Sequence, residues 1–401
     1  MKKHLTLLLL VAMILGALPA VTAAQDTPEL LIWADETRVA VIEELGTAFE
    51  EEYGVTLTVQ QFAMGDIRDQ LLIAGPAGEG PDIIVGAHDW LGKLVTNGAL
   101  APVDLGDKAA DFAPAAIAAL TWDGQLYGVP YAVENIGFFY NTDLVETPPT
   151  TWDEVRTLSQ EIMDSGDAQY GFIRMQGDPY HFYPIQTAFG GYIFGLDDLG
   201  NYNPEDVGVD NAGSVAAIQW LEDMVKDGLV PPGLDDTAAY TLFGEGQAAM
   251  FITGPWRVQY FVEQEVPFAI APFPVGPDGE PGRPFLGVQA FMVSAFSENP
   301  LLAQAFLTEW VGSEEVQLAL YEKGGRAPAL LAAQEKIEDP YLAALAEAGA
   351  EGQGMPAIPA MDAVWQPWSD AIILAMNNPD TDAVELTAQA GEAIRTAIAE
   401  Q

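Results

Sequence analysis

The chain has 401 residues, 49% of them hydrophobic, with 15 lysines and arginines against 59 aspartates and glutamates, for a formal net charge of −44. That length exceeds what one compact core usually spans and points to two domains; the lack of any cysteine excludes disulfides, thiolate metal ligands and a thiol nucleophile. The acidic field repels nucleic acid and anionic surfaces, so a neutral ligand is expected.

At the start, Lys2, Lys3 and His4 precede an apolar run from Leu5 to Leu18, and the small residues Thr22, Ala23 and Ala24 follow. This is the layout of a secretory signal over residues 1–24. Gly16 and Pro19 interrupt the run before it reaches the roughly 18 apolar residues of a membrane span. The expectation is an exported, soluble protein of the periplasm or another extracytoplasmic space. With no cysteine after the run, no lipid anchor is expected.

"ELLIWAD" from Glu29 to Asp35 reads as a short buried strand. "TRVAVIEELGTAFEEEYG" reads as a helix, with Val41, Leu45 and Phe49 on one face and Gly54 as its stop. Strand-like "VTLTVQQF", a helical stretch from Ile67 to Ala74, a turn "GPAGEGP" and a strand "DIIV" complete a βαβαβ order. That order implies a parallel sheet covered by helices. Ligands of such sheets bind beyond the carboxyl ends of the strands, where Asp35 and Arg38 follow the first strand and Asp89 and Trp90 the third.

Between Gln125 and Val145 two apolar stretches are separated at Glu134 and Asn135. A carboxylate there has to be solvated, paired or used. Thr151 with Glu154 three residues on forms a capping box for a helix in which Trp152 packs. Helices and short strands alternate to about residue 275, "PFPVGPDGEPGRPF" is a turn-rich connection, and the C-terminal part is mostly helical.

The chain offers no spaced metal-ligand set around its three histidines, no nucleophile elbow and no phosphate loop. What remains is aromatic and acidic: Asp35, Arg38, Asp89, Trp90, Glu134, the "GDPYHFY" group with Asp178, Tyr180, His181 and Tyr183, and the tryptophans Trp256, Trp365 and Trp368. Flat rings pack on the C–H faces of sugars while carboxylates and guanidinium groups bond their hydroxyl edges. The same carboxylates leave a glycoside hydrolase open, its acid and nucleophile drawn from Asp89, Glu134 and Asp178. An adhesive envelope protein stays open as well.

The blocks "LLIWAD", "FEEEYGVTLTV", "GPDIIVGAHDWLGKLVTNGAL", "PYAVENIGFFYNTDL", "PPTTWDEV", "DVGVDNAG", "GQAAMFITGPW", "RPFLGV" and "MPAIPAMDAVW" resemble, in order and spacing, the maltose/maltodextrin-binding proteins of bacterial ABC sugar importers, from about residue 29 to the C terminus. The resemblance implies an α/β, two-lobed periplasmic-binding-protein fold of type II with three hinge crossings. The first lobe would hold residues 26–133 and 289–336, the second 138–286 and 341–401, with crossings near 134–137, 287–288 and 337–340. It implies a monomeric binding protein rather than an enzyme, without a cofactor, that takes a neutral oligosaccharide and passes it to the membrane subunits of an ABC permease.

By the same resemblance, Asp35, Arg38, Asp89, Glu134, Asp178, Pro179, Tyr180, Trp256 and Trp365 stand at sugar-binding positions, Trp256 and Trp365 as stacking platforms. Trp90 and Gln366 stand where the family has an Arg and a Tyr. Gly86 stands for a family Trp and Ser369 for an Arg, so the aromatic platform moves from position 86 to 90 and donors are lost, which leaves trehalose, sucrose and longer glucans open. Asp66, Arg68, His181 and Met355 are rim candidates.

Overall fold

The computed structural model describes residues 27–401; the expected signal segment lies outside the described residues. Strand β1 (Glu29–Ala34), helix α1 (Val39–Tyr53), β2 (Thr56–Gln61), α2 (Met64–Ala77) and β3 (Ile83–Ala87) reproduce the βαβαβ order, and β1 pairs with both β2 and β3 in parallel. Helix α1 buries Ile42, Gly46 and Phe49, while Val41 and Leu45 flank that stripe half-buried. It stops at Gly54, whose φ of 63° is left-handed, a conformation that favours glycine. Helix α2 runs past the expected Ala74 into the supposed turn, carrying Pro76 inside it, and ends at Gly78.

The chain builds two principal sheets. The larger has seven strands in the order β10-β4-β9-β3-β1-β2 with β11 added on β9. Here β4 is Val129–Glu134, β9 Phe285–Val293, β10 Ala327–Pro328 and β11 Gln353–Gly354. The smaller has four, in the order β8-β5-β7-β6, with β5 Gly137–Asn141, β6 Tyr170–Ile173, β7 Ala248–Thr253 and β8 Phe268–Ala271. The large sheet is mixed: β1, β2 and β3 are parallel, β9 returns antiparallel to both β3 and β4, and β11 joins β9 in parallel. The chain passes from the large sheet to the small one between β4 and β5, and back between β8 and β9. The architecture is mixed α/β.

Helices close the sheets. Helix α3 (Trp152–Ser165) starts with the expected capping box, in which Thr151 and Glu154 bond each other's backbone. Trp152 is 1% exposed and packs edge-on against Phe138, Phe172 and Trp220. Helix α4 (Pro179–Ala188) starts at Asp178, which caps it by accepting from the His181 amide. Helices α5 (Ala212–Lys226), α6 (Asp362–Asn377) and α7 (Ala383–Ala399) pack on one another at the C-terminal side. Among the described residues, no helix is long and apolar enough to cross a membrane.

Candidate functional site

A cavity of about 800 Å³ opens where the carboxyl ends of β1 and β3 meet the start of α4, the end of β7 and the first turns of α6. Its lining includes Asp35, Arg38, Asp89, Trp90, Glu134, Asp178, Pro179, Tyr180, Trp256, Trp365 and Gln366, and the rim candidates Asp66, Arg68, His181 and Met355. Tyr183 and Trp368, also singled out in the sequence, are instead core residues, 1% and 2% exposed, with Tyr183 stacked on Phe285. Segments far apart in sequence reach it because strand ends in an open sheet share one edge.

Many of these groups are engaged with each other. Asp35 and Arg38 are each 5% exposed and form an ion pair; Asp35 also accepts from the Thr37 amide at 2.9 Å and hydroxyl at 2.8 Å, and Arg38 bonds the Tyr131 hydroxyl. Burial lowers the Arg38 guanidinium from its ordinary value. Asp89 lies in a short turn after β3, 7% exposed, and accepts from the Trp365 indole at 3.1 Å. Burial pushes its carboxyl up to about 6, against the opposing pull of Arg68 and that indole bond. The neighbouring His88 accepts from the Val288 amide at Nδ1, 3.1 Å, so Nε2 carries the proton and donates to the Met355 carbonyl at 3.0 Å. Burial takes that imidazole down to about 4.

Trp90 is 4% exposed and its ring lies on Gly86, where an added Cβ would come within 1.8 Å of it. The ring therefore fills the space over position 86 and shows the cavity little of its surface. Asp178 receives the His181 ring at 2.8 Å. Burial would raise its carboxyl, but the His181 ring and amide and Arg174 outweigh burial and hold it below the ordinary value. Tyr180 is pushed well up, by burial first and then by Glu134, Asp178 and Asp89, so its hydroxyl stays protonated. Gln366, which lines the cavity, donates one amide N–H to Asp370 along its own helix at 2.8 Å.

Beside Trp90, two further tryptophans line the cavity. Trp256 has the Arg326 guanidinium 5.4 Å over its ring and the His181 ring edge-on at 5.9 Å. Trp365 stands between Phe285 and Trp368 at 6.3 and 6.2 Å, half-buried and tied to Asp89. Sequence reasoning missed Arg326, Gln289, Lys93, Asp362, Arg257 and Asp236 on the lining. For Gln289 a signal existed: it is a lone polar residue inside the apolar run of β9, the same kind of signal that marked Glu134. For Arg326, after two glycines at a sheet edge, there was none.

Every cation on the lining has an acidic partner: Arg38 with Asp35, Arg68 and Lys93 with Asp69 and Asp362, Arg257 with Asp236, and Arg326 with Glu134. No basic patch is left over to neutralise an anionic ligand. The surface is one of rings, carboxylates and amides, suited to an uncharged polyhydroxylated molecule.

Comparison with known proteins agrees with that chemistry. The chain is 32% identical over 357 residues to a galactooligosaccharide-binding protein of Bacillus subtilis (strain 168), covering 86% of this chain and 83% of that one. It is 29% identical over 355 residues to a maltodextrin-binding protein of the same organism, covering 86% and 84%. It is also 29% identical over 380 residues to a maltooligosaccharide ABC transporter solute-binding lipoprotein of Streptococcus pneumoniae (strain ATCC BAA-255 / R6), covering 90% and 86%. Residues 44–349 match the family described as bacterial extracellular solute-binding protein, and the chain belongs to that family of binding proteins.

Proposed function

We propose that the chain captures a neutral oligosaccharide of the maltodextrin type in this cavity and hands it to the membrane subunits of an ABC importer. The observation that carries the reading is the convergence of Trp256, Trp365 and Tyr180 with Asp89, Glu134 and Asp35 on one cavity whose cations are all paired. Rings supply stacking, and the carboxylates accept from hydroxyls. In this reading residues 26–133 and 289–336, which carry most of the large sheet, and residues 138–286 and 341–401, which carry the small one, act as lobes. They close on the sugar about crossings near 134–137, 287–288 and 337–340. The passage of the chain between the two sheets at Glu134 to Gly137 supports the first crossing. The ligand stabilises the closed form by binding it better than the open one.

The 32% identical relative that binds galactooligosaccharides makes a galactosyl chain the competing ligand. The deciding experiment is calorimetry, with tryptophan fluorescence alongside, of the chain titrated with maltose, maltotriose, trehalose, sucrose and a galactosyl trisaccharide. Saturable 1:1 binding of maltotriose, weakened at least about tenfold by Trp365→Ala through loss of its stacking area, is the expected result. Preference for the galactosyl trisaccharide would change the ligand, and silence with all five would overturn the sugar reading.

A further inference from the structure

We propose that Arg326 and Gln289 are ligand-binding residues, which together with Glu134 form a donor and acceptor set on the cavity floor that grips adjacent hydroxyls of one sugar ring. This rests on the reading of the cavity as a sugar site and goes beyond it by naming residues that the sequence did not mark.

Glu134 ends β4, and each of its carboxylate oxygens is held from a different strand. Gln289 on β9 donates its amide N–H to Oε1 at 2.7 Å; Arg326, just before β10, donates Nε–H to Oε2 at 2.8 Å. A carboxylate oxygen has more lone pairs than these bonds use, so Glu134 keeps acceptor capacity toward the cavity. The geometry also fixes the Gln289 amide. An ionised carboxylate only accepts, so the nitrogen must face Glu134 and the carbonyl Oε1 must point elsewhere.

That Oε1 is buried and has no hydrogen-bond partner, on a side chain of a residue only 6% exposed that lines the cavity. An orphaned buried acceptor costs free energy until a donor reaches it. In this conformation the atom is covered, so the hydroxyl reaches it as neighbouring side chains give way on binding.

Arg326 supplies the complementary donors. Its other contacts are Thr37 Oγ1 at 3.3 Å and the Gly324 carbonyl at 3.5 Å, and a guanidinium carries more N–H groups than these use. It is 6% exposed, faces the cavity and lies over the Trp256 ring, beside the place where a ring would stack. A hydroxyl both donates and accepts, so neighbouring hydroxyls placed here donate to Gln289 Oε1 and Glu134 and accept from Arg326.

The test is calorimetric titration with maltotriose and with a galactosyl trisaccharide, each also as a set of monodeoxy analogues, together with thermal melting. It compares the parent chain with Arg326→Met, Gln289→Met and the double variant Glu134→Gln/Arg326→Met, which leaves no lone charge in the floor. The single Arg326 variant and the double variant are each expected to weaken binding at least about tenfold, the double variant without loss of melting temperature. Gln289→Met is expected to cost a similar factor for the parent trisaccharide and nothing for the one analogue that lacks the hydroxyl it faces. Affinity of a folded double variant within about twofold of the parent would overturn the proposal, as would a Gln289→Met penalty equal for every analogue, the mark of a structural role. If the parent chain binds neither trisaccharide and none of maltose, trehalose and sucrose, the sugar reading falls and takes this inference with it; binding by the parent with indifferent variants sinks only the inference.

Discussion

His88 and Asp89 are sequence neighbours whose burial acts on pH dependence with opposite signs. The Asp89 carboxyl titrates near 6 in the folded chain against an ordinary 3.8. Between those values the native state keeps a proton that the unfolded chain has released, so stability falls as pH rises. The His88 ring titrates near 4 against 6.5. Between those values the unfolded chain takes up a proton that the native ring refuses, so stability rises with pH. From about pH 4 to about 6 the two slopes, each about 1.4 kcal/mol per pH unit, cancel. Asp89→Asn unmasks His88: the stability of the variant relative to the parent should climb across this window by up to about 3 kcal/mol. Urea unfolding of both chains at a series of pH values reads this directly, and a flat difference would mean that Asp89 is already ionised throughout. Sequence pointed to Asp89 as a residue of the cavity; nothing in "GAHDW" announced that His88 would be locked between the Val288 amide and the Met355 carbonyl, 200 and 267 residues away.

Elements show the same division between what is local and what is not. Strand β3 was legible because "DIIV" is a short apolar run bounded by Gly and Pro, and all five of its residues are buried. The start of α3 was legible because a capping box is a local hydrogen-bond pattern. The end of α2 was not, since Gly75 and Pro76 read as a turn while packing keeps them helical: Gly75 lies so close to Phe296 that an added Cβ would come within 2.2 Å of that ring. Gly86 follows a similar rule within β3. Any side chain there meets the Trp90 ring, so Gly86→Ala should force the ring off its seat at a cost of about 1–3 kcal/mol, as overpacked cores do. A lowered melting temperature and a shifted tryptophan emission are the expected signs, with part of the loss regained in Gly86→Ala/Trp90→Leu. An unchanged melting temperature would show that the ring moves freely.

For the whole molecule, what could not be read was which strands meet. The ion pair between Glu134 and Arg326 spans 192 residues and the bond from Gln289 spans 155; Gln289 arrives because β9 returns between β3 and β4, and Arg326 because β10 pairs with β4 on its other side. The charge, in contrast, was legible in full and carries its own consequence. With 59 acidic residues against 15 basic ones, most carboxylates have no cation to meet, and their repulsion opposes the compact state. Exposed pairs such as Lys108 with Glu309 contribute little each, so screening should remove more repulsion than attraction. Raising sodium chloride from about 0.01 M to about 1 M shortens the Debye length from about 30 Å to about 3 Å. Over that range the calorimetric melting temperature should rise steadily. A neutral ligand held in a cavity whose cations are already paired should bind with an affinity that changes by less than about threefold over the same range. A falling melting temperature would show that ion pairs outweigh repulsion, and an affinity that collapses with salt would mean that the ligand is charged and that the pairing of Arg326 and its fellow cations gives way when it binds.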